Sequence, residues 1–158
     1  MFRGLSYLAL DGKGRLAVPA RYRDPLQAQC DGRLIITLDP SSGCLLLYPL
    51  PEWEPIEKRL MSLPSLTNPV TRRMQQILVG SASEVDLDSA GRILLPAPLR
   101  DRAKLDKDIV LLGQGNKFEI WSATDWQIIY DAAADLPAQI NAASQSGELP
   151  DELKDFSL

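Results

Sequence analysis

The sequence predicts an α+β protein in which two copies of one short unit interlock into a single pseudo-two-fold β-barrel flanked by helices. First, the chain has 158 residues, 45% of them apolar and 24% charged, which suits one compact domain or two small ones with a shared core. Second, one pattern of strand and helix signals occurs twice. Third, each copy of about 45 residues buries too little surface to fold alone, and pairing hairpins between copies would remove exposed strand edges.

The repeat is clearest in two eleven-residue segments. Leu10–Ala20 reads LDGKGRLAVPA, and Leu87–Ala97, which lies 77 positions later, reads LDSAGRILLPA. Leu, Asp, Gly, Arg, Pro and Ala recur in register, with apolar residues between the arginine and the proline. A recurring pattern of this kind is the sequence signature of a duplicated structural unit.

The correspondence continues beyond this motif. Arg23 matches Arg100 at the same spacing, and each is followed by an aspartate. Further along, Trp53 matches Trp126 at a spacing of 73, so the connection between the matching parts has lost four residues. A change of loop length between matching strands is expected after duplication, because loops tolerate deletions.

Each copy is predicted to contain strand, turn, strand, helix, strand, turn, strand and helix. The glycines of the first turn can adopt positive φ, Asp11 can bond the following amides, and Pro19 suits a helix start. The second copy repeats this plan over 84–125. In the first copy the predicted elements are an apolar strand 7–10, a turn 11–14, a return strand 15–18, a helix 19–28, strands 33–38 and 44–48 around a turn 40–43, and a helix from Pro51.

Two helices are predicted between the copies' hairpins from apolar spacing. The first would bury a stripe made of Trp53, Ile56, Leu60 and Leu63. The second begins at Asn68-Pro69 and would place Val70, Met74, Ile77 and Leu78 on one face. The predicted organisation is therefore repeat one over 5–52, a helical connector over 53–80, repeat two over 81–124, and a C-terminal helix with an acidic tail over 125–158.

Charge is unevenly distributed along the chain. The formal net charge is −4, but residues 131–158 carry six acidic residues and one basic, a net −5. The other 130 residues carry +1, and residues 1–33 alone carry +3. The basic N-terminal part is therefore where a polyanion would be expected to bind, which the overall net charge does not indicate.

Composition excludes several classes of function. The chain has no histidine, which removes most zinc sites and histidine-based catalytic triads. Cys30 and Cys44 are predicted to be free thiols rather than a disulfide. No apolar run approaches the length of about 18–20 residues that spans a membrane, and the first residues lack a signal-peptide core, so a cytoplasmic protein is expected. We expect no cofactor, no metal and no small-molecule substrate.

The Asp-x-x-x-Arg pattern is the main candidate site. A plain hairpin turn explains the aspartate and glycine of both copies, with the arginine paired to the aspartate. It does not require an arginine four residues on, although Arg15 recurs as Arg92 while Lys13 is replaced by Ala90. No Walker or dinucleotide-binding pattern is present, so nucleotide binding is disfavoured.

Contact with a polyanion would explain the recurring arginine. A guanidinium matches phosphate or the O6/N7 edge of guanine, and a two-stranded ribbon fits the major groove of DNA. Asp11 would hold Arg15 in place, while Lys13, Arg21 and Arg23 would contact phosphates. One such surface binds weakly, so this hypothesis predicts an oligomer on repeated sites. Its assembly surface could lie on the helices around Trp53–Leu63 and Trp126–Tyr130, which could equally belong to the core.

Several segments together resemble the MraZ family of bacterial transcriptional regulators over nearly the whole chain. They are the opening MFRG, the LDGKGRLAVP segment from Leu10, LLLYPLPEW from Leu45, DSAGR from Asp88 and VLLGQGNKFEIW from Val110. The resemblance implies two swapped-hairpin units of AbrB/SpoVT type. It also implies a cytoplasmic, nucleoid-associated ring that binds short direct repeats of double-stranded DNA in the promoter of its own division and cell-wall gene cluster, and represses it.

The family's DNA-contacting motif corresponds to Asp11 and Arg15, and again to Asp88 and Arg92. Because the second motif has no lysine, Arg15 is expected to contribute most. The candidate DNA-binding residues are Arg15, Lys13, Arg92, Arg3, Arg21 and Arg23. The candidate turn and orienting residues are Asp11, Gly14, Asp88 and Gly91.

Two other functions remain open at this point. One is an oligomeric protein-binding scaffold without DNA contact, in which the hairpin arginines serve assembly. The other is a small enzyme that uses Asp86, Asp88 and Arg92, because residues two apart share one strand face and could form a carboxylate pair. Such a pair is more commonly part of a solvated strand face, so the chain is predicted not to be an enzyme.

Overall fold

The computed structural model describes residues 1–156. Its strands are β1 (Phe2–Ala9), β2 (Arg15–Ala17), β3 (Arg33–Leu38), β4 (Leu45–Pro49), β5 (Ser83–Asp86), β6 (Arg92–Leu94), β7 (Asp108–Gly115) and β8 (Lys117–Ser122). Its helices are α1 (Ala20–Cys30), α2 (Leu50–Met61), α3 (Pro69–Leu78), α4 (Ala97–Arg102), α5 (Ala123–Asp131), α6 (Leu136–Ser146) and α7 (Asp151–Lys154), with a 3-10 turn over Ala132–Asp135. Both copies therefore have the predicted order of elements.

The strands of the two copies interlock. Within residues 1–156, an antiparallel six-stranded sheet has the order β1-β7-β8-β4-β3-β5. Exchanging the copies reverses this order, so a pseudo-two-fold axis crosses the sheet where β4 meets β8. The pair Leu46↔Glu119 lies on this axis, since the two residues are equivalent in the repeat. Pairing across the copies is thus confirmed.

A separate two-stranded ribbon joins β2 to β6. Its central pair is Leu16↔Ile93, which is again a pair of equivalent residues. Backbone bonds from Val18 N to Gly91 O, 2.9 Å, and from Leu95 N to Gly14 O, 3.1 Å, extend the ribbon at both ends. The ribbon therefore consists of one strand from each copy.

Two features differ from the expectation. The sheet is open, because β1 and β5 are its edges in the described part of the chain, so a closed barrel is not formed by these pairings. In addition, the strands on either side of each Asp-x-x-x-Arg turn do not form a ladder with each other. β1 pairs with β7 over eight residues and β2 with β6 over three, so both strands have their partners in the other copy.

The two connector helices differ in how much of their apolar surface they bury. In α2, Trp53 and Leu60 are buried as predicted, but Leu63 lies beyond the helix and is exposed. In α3, Asn68 caps the N-terminus through Oδ1 as the Asn-Pro signal indicates. The apolar residues Val70 and Met74 are 70% and 39% exposed, so the apolar face of α3 is only partly covered.

The chain divides into two compact units, Met1–Ala123 and Thr124–Leu158. The first contains the sheet, the ribbon and one apolar core, in which Leu16, Leu26, Ile36 and Ile120 are fully buried. The described part of the second is helical, and its residues Ile128, Ile129 and Tyr130 are exposed. Among residues 1–156 the structure has no helix that is long and apolar enough to span a bilayer.

Candidate nucleic-acid interface

The first turn holds Arg15 through the carboxylate of Asp11. Asp11 Oδ1 accepts hydrogen bonds from the backbone nitrogens of Lys13 and Arg15, both at 2.9 Å. Asp11 Oδ2 accepts a hydrogen bond from Nε of Arg15 at 2.6 Å. Backbone bonds from Asp11 N to Arg15 O and from Gly14 N to Asp11 O, both 3.0 Å, close the turn. One carboxylate therefore fixes both the backbone of the turn and the guanidinium that follows it.

The second turn has the same geometry around Asp88. Its Oδ1 accepts hydrogen bonds from the backbone nitrogens of Ala90 at 2.9 Å and Arg92 at 2.8 Å. Its Oδ2 accepts a hydrogen bond from Nε of Arg92 at 3.1 Å. The arginine side chains of the two turns are exposed to similar extents, 30% for Arg15 and 36% for Arg92. In each case one edge of the guanidinium is bonded and its terminal nitrogens remain available for a ligand.

These hydrogen bonds stabilise the charged form of both aspartates. The pKa of Asp11 is lowered from 3.8 to about 2, chiefly by the hydrogen bond from the Arg15 backbone, with further contributions from the Arg15 side chain and Lys13. The pKa of Asp88 is also lowered, chiefly by the hydrogen bond from the Arg92 backbone. Both carboxylates are therefore ionised at neutral pH.

The ribbon presents both arginines on one face. Arg15 pairs with Leu94 and Ala17 pairs with Arg92, so these four side chains share the face opposite to buried Leu16 and Ile93. Arg15 and Arg92 are diagonal neighbours, which places their Cα atoms about 7–8 Å apart in an antiparallel pair. The turn tips at 11–13 and 88–90 are exposed, and Lys13 is at the first tip. The outer face of the ribbon therefore presents both guanidiniums, with Lys13 at the first tip.

The structure places Arg23 at the second turn. Its Nε donates to Val18 O at 2.7 Å, and its guanidinium lies over Gly91. The structure also brings Arg100 to the first turn, where its Nε donates to Leu95 O at 3.0 Å and its guanidinium lies over Gly14. Arg100 was not among the predicted site residues, although its match to Arg23 at a spacing of 77 was a signal that could have found it.

Arg21 and the backbone of Arg3 both contact Tyr22. Arg21 Nη2 donates to Ser6 Oγ at 2.7 Å and to Tyr22 Oη at 3.0 Å, and its Cζ lies 4.5 Å from the Tyr22 ring centre. Tyr22 Oη in turn donates to the backbone oxygen of Arg3 at 2.5 Å. Arg3 precedes Asp11 by eight residues, up to about 27 Å along an extended strand. Arg3 is therefore separated from the first turn by the length of β1, whereas Arg21 follows Ala17 of the ribbon by four residues.

The remaining candidate groups do not form a second site. Cys30 and Cys44 are free thiols, as predicted, and burial raises the pKa of Cys30 and raises that of Cys44 to about 12. Asp86 on β5 pairs in register with Arg33 on β3, whereas Asp88 is bonded within its turn, so the two carboxylates have separate surroundings. Within residues 1–156, no group of three or more acidic or cysteine side chains is arranged to hold a metal ion.

The known proteins that are similar to this chain belong to one functional class. The chain is 51% identical to a protein of Nitrosomonas europaea over 158 residues, 54% identical to one of Tolumonas auensis over 160 residues, and 51% identical to one of Pseudomonas aeruginosa over 158 residues. Each match covers 100% of both chains, and each relative is named "Transcriptional regulator MraZ". The relatives are thus regulators of transcription rather than enzymes.

The family named "MraZ protein" matches residues 1–77 and again residues 78–146. This chain therefore belongs to the MraZ family. The two matched segments agree with the duplication seen in the sequence and in the interlocked strands. The resemblance is confirmed, as is the prediction that the chain is not an enzyme.

Proposed function

We propose that this chain is a sequence-specific regulator of transcription that binds double-stranded DNA through the outer face of the β2·β6 ribbon. The observation that carries the proposal is the pair of arginines, each held by an aspartate on one exposed face. A guanidinium fixed at Nε keeps its terminal nitrogens for base edges or phosphates and loses little side-chain entropy on binding. Lys13 adds a phosphate contact at the exposed first tip.

Arg15 and Arg92 are assigned to base edges in the major groove, since a two-stranded ribbon fits there. Arg3 and Arg21 are assigned to phosphates, and Arg23 to the border of the second turn. Asp11, Gly14, Asp88 and Gly91 build the turns. The crossed pairing of β2 and β6 supports the swapped-hairpin arrangement of AbrB/SpoVT type.

The protein is proposed to act as a ring of identical copies on short direct repeats. A ribbon with a few basic side chains neutralises few phosphates, so regularly spaced protomers are needed for useful affinity. The exposed apolar residues of α3, Val70 and Met74 among them, offer surface for assembly. The proposed target is the promoter of the division and cell-wall gene cluster that contains the chain's own gene, which it represses in the cytoplasm at the nucleoid.

Footprinting on the region upstream of its own gene tests this proposal. Wild-type protein should protect evenly spaced segments, and the double variant Arg15→Ala with Arg92→Ala should protect none. Arg59→Ala, which removes an exposed charge from α2, is the matched control and should protect like wild type. Size-exclusion chromatography of all three should show the same assembly.

A failure of wild-type protein to bind any duplex, with assembly intact, would contradict the proposal and favour the protein-binding scaffold. Normal footprints from the double variant would show instead that DNA is bound elsewhere. The dependence of affinity on salt provides a second check, because log K should fall with log salt by about 0.9 for each phosphate neutralised.

A further inference from the structure

Arg100 of the second copy packs on the turn of the first copy. A Cβ atom added to Gly14 would lie 2.6 Å from both Nε and Nη1 of Arg100, so the guanidinium fills the space that a side chain would need. The Arg100 Nε donates to Leu95 O, and Leu95 N donates to Gly14 O. Arg100 is thus connected to the first turn both by packing and through the ribbon backbone.

Arg23 makes the same arrangement at the second turn. A Cβ atom added to Gly91 would lie 2.6 Å from Cδ and Cζ of Arg23. The Arg23 Nε donates to Val18 O at 2.7 Å, and Val18 N donates to Gly91 O at 2.9 Å. The same crossed contact therefore occurs in both copies, between residues that are equivalent in the repeat.

The contact lies where it controls the direction of the binding arginines. Gly14 and Gly91 have φ of +79° and +75°, and each joins an exposed turn tip to the ribbon. The next residue in each case is the arginine held by aspartate. A guanidinium stacked on this joint restricts rotation of the whole turn, and with it the position of Arg15 or Arg92.

The charge of these two arginines adds to the effect. Within residues 1–156 neither Arg23 nor Arg100 forms a salt bridge, whereas Arg15 and Arg92 are each paired with an aspartate. The uncompensated charge of Arg100 therefore lies beside the first turn, and that of Arg23 beside the second. Each raises the positive potential where a phosphate backbone would approach.

We propose that Arg100 is the positioning residue for Arg15 and that Arg23 is the positioning residue for Arg92. Each copy thus supplies, from α4 or α1, the guanidinium that fixes the DNA-contacting turn of the other copy. The proposal rests on the proposed DNA-binding function for its consequence in binding, but the mechanical part concerns the free protein. Loss of one helix residue should disable the opposite turn.

Hydrogen–deuterium exchange of the DNA-free protein tests the mechanical part. Arg100→Ala should speed exchange of the amides of residues 13–15 while leaving residues 90–92 near wild type, and Arg23→Ala should do the reverse. Arg102→Ala is the matched control, since it removes an exposed charge from the same helix α4 and should change neither turn. Equal acceleration of both turns, or of neither, would overturn the proposal.

Affinity for the promoter fragment then tests the consequence in binding. Arg100→Ala should weaken binding about tenfold in wild type and in the Arg92→Ala background, but not further in the Arg15→Ala background, since residues that act through one another are not additive. Arg100→Lys keeps the charge without the planar stack and should recover only part of the loss. Equal losses in both backgrounds would indicate a general structural role.

The proposed DNA-binding function and the proposed positioning role can be contradicted separately. If wild-type protein does not bind the promoter, the DNA-binding function fails, and the exchange pattern still decides whether the crossed arginines position the turns. If wild-type protein binds but the exchange pattern is not crossed, the positioning role fails while the function stands. An Arg100→Ala variant that does not fold would be replaced by Arg100→Lys in the exchange experiment, with the same crossed pattern expected.

Discussion

The two Asp-x-x-x-Arg turns share one framework and differ at their tips. Both have the aspartate cap, the glycine with positive φ and a guanidinium from the other copy. The first turn has Lys13 where the second has Ala90, and its Arg15 Nε lies 2.6 Å from the carboxylate against 3.1 Å at Arg92. The residues that recur are those that build the turn, and the residues that differ set its charge. The duplication has thus preserved the geometry of the two turns, while the charge at their tips differs.

The largest expected effect separates the two arginines. Arg15→Ala should weaken promoter binding about 100-fold and Arg92→Ala about tenfold, since a well-placed arginine contact to a base edge contributes about 1–3 kcal/mol and the first turn has the additional lysine. Fluorescence anisotropy with a labelled promoter fragment at fixed salt measures both. An equal or larger loss for Arg92→Ala would reverse the ranking of the turns.

The next largest effect is on stability, when the glycine with positive φ in either turn is replaced by alanine. Gly14→Ala and Gly91→Ala should each lower the free energy of unfolding by somewhat more than the about 1–2 kcal/mol that a Cβ atom costs in left-handed backbone alone, because the added atom must also displace the packed guanidinium. Gly43→Ala is the matched control, since φ there is +77° but no atom lies within 4 Å of the added Cβ. Urea unfolding at fixed protein concentration should show a smaller loss for Gly43→Ala. Identical losses at all three positions would mean that the guanidinium packing contributes nothing.

Exchanging the tip residues should shift the balance between the turns by a smaller amount. Lys13→Ala should weaken binding about three- to tenfold at all sequences and reduce the salt slope by about 0.9, while Ala90→Lys should strengthen binding, because a lysine at a tip contacts phosphate. Lys58→Ala on the exposed surface of α2 controls for net charge. A change in sequence preference for Lys13→Ala would instead assign this side chain to a base edge.

The smallest effect concerns acid stability. The pKa of Asp11 in the folded protein is about 2, below its ordinary 3.8, so its ionised form stabilises the fold at neutral pH. That stabilisation is complete above about pH 4 and decreases as the pH falls toward 2. The difference in Tm between wild type and Asp11→Asn should therefore shrink over this range, as should that for Asp88→Asn. A difference that is constant with pH would contradict the assigned hydrogen bonds.

Much of the local structure could be predicted from residue patterns. The capping aspartates, the turn glycines, the Asn68 cap and the alternation of strands and helices all depend on neighbours within a few residues. Helical spacing predicted an apolar face on α3, but the exposure of Val70 and Met74 could not be predicted, because spacing does not show whether other elements cover a face. The positions of Arg23 and Arg100 depend on contacts with the other copy, which no local pattern contains.

The sequence by itself determined that one unit occurs twice, which residues form its turns, and that an arginine follows each aspartate. Backbone propensity, capping and glycine conformation depend on a few neighbouring residues, so a short stretch of sequence is enough to predict them. Only the tertiary structure decided that β2 pairs with β6 instead of β1, that Arg15 and Arg92 share one face, and that each turn is supported by a guanidinium from the other copy. The physical reason is that equivalent strands offer equivalent partners, and only the packing of the shared core selects between pairing within a copy and pairing across copies.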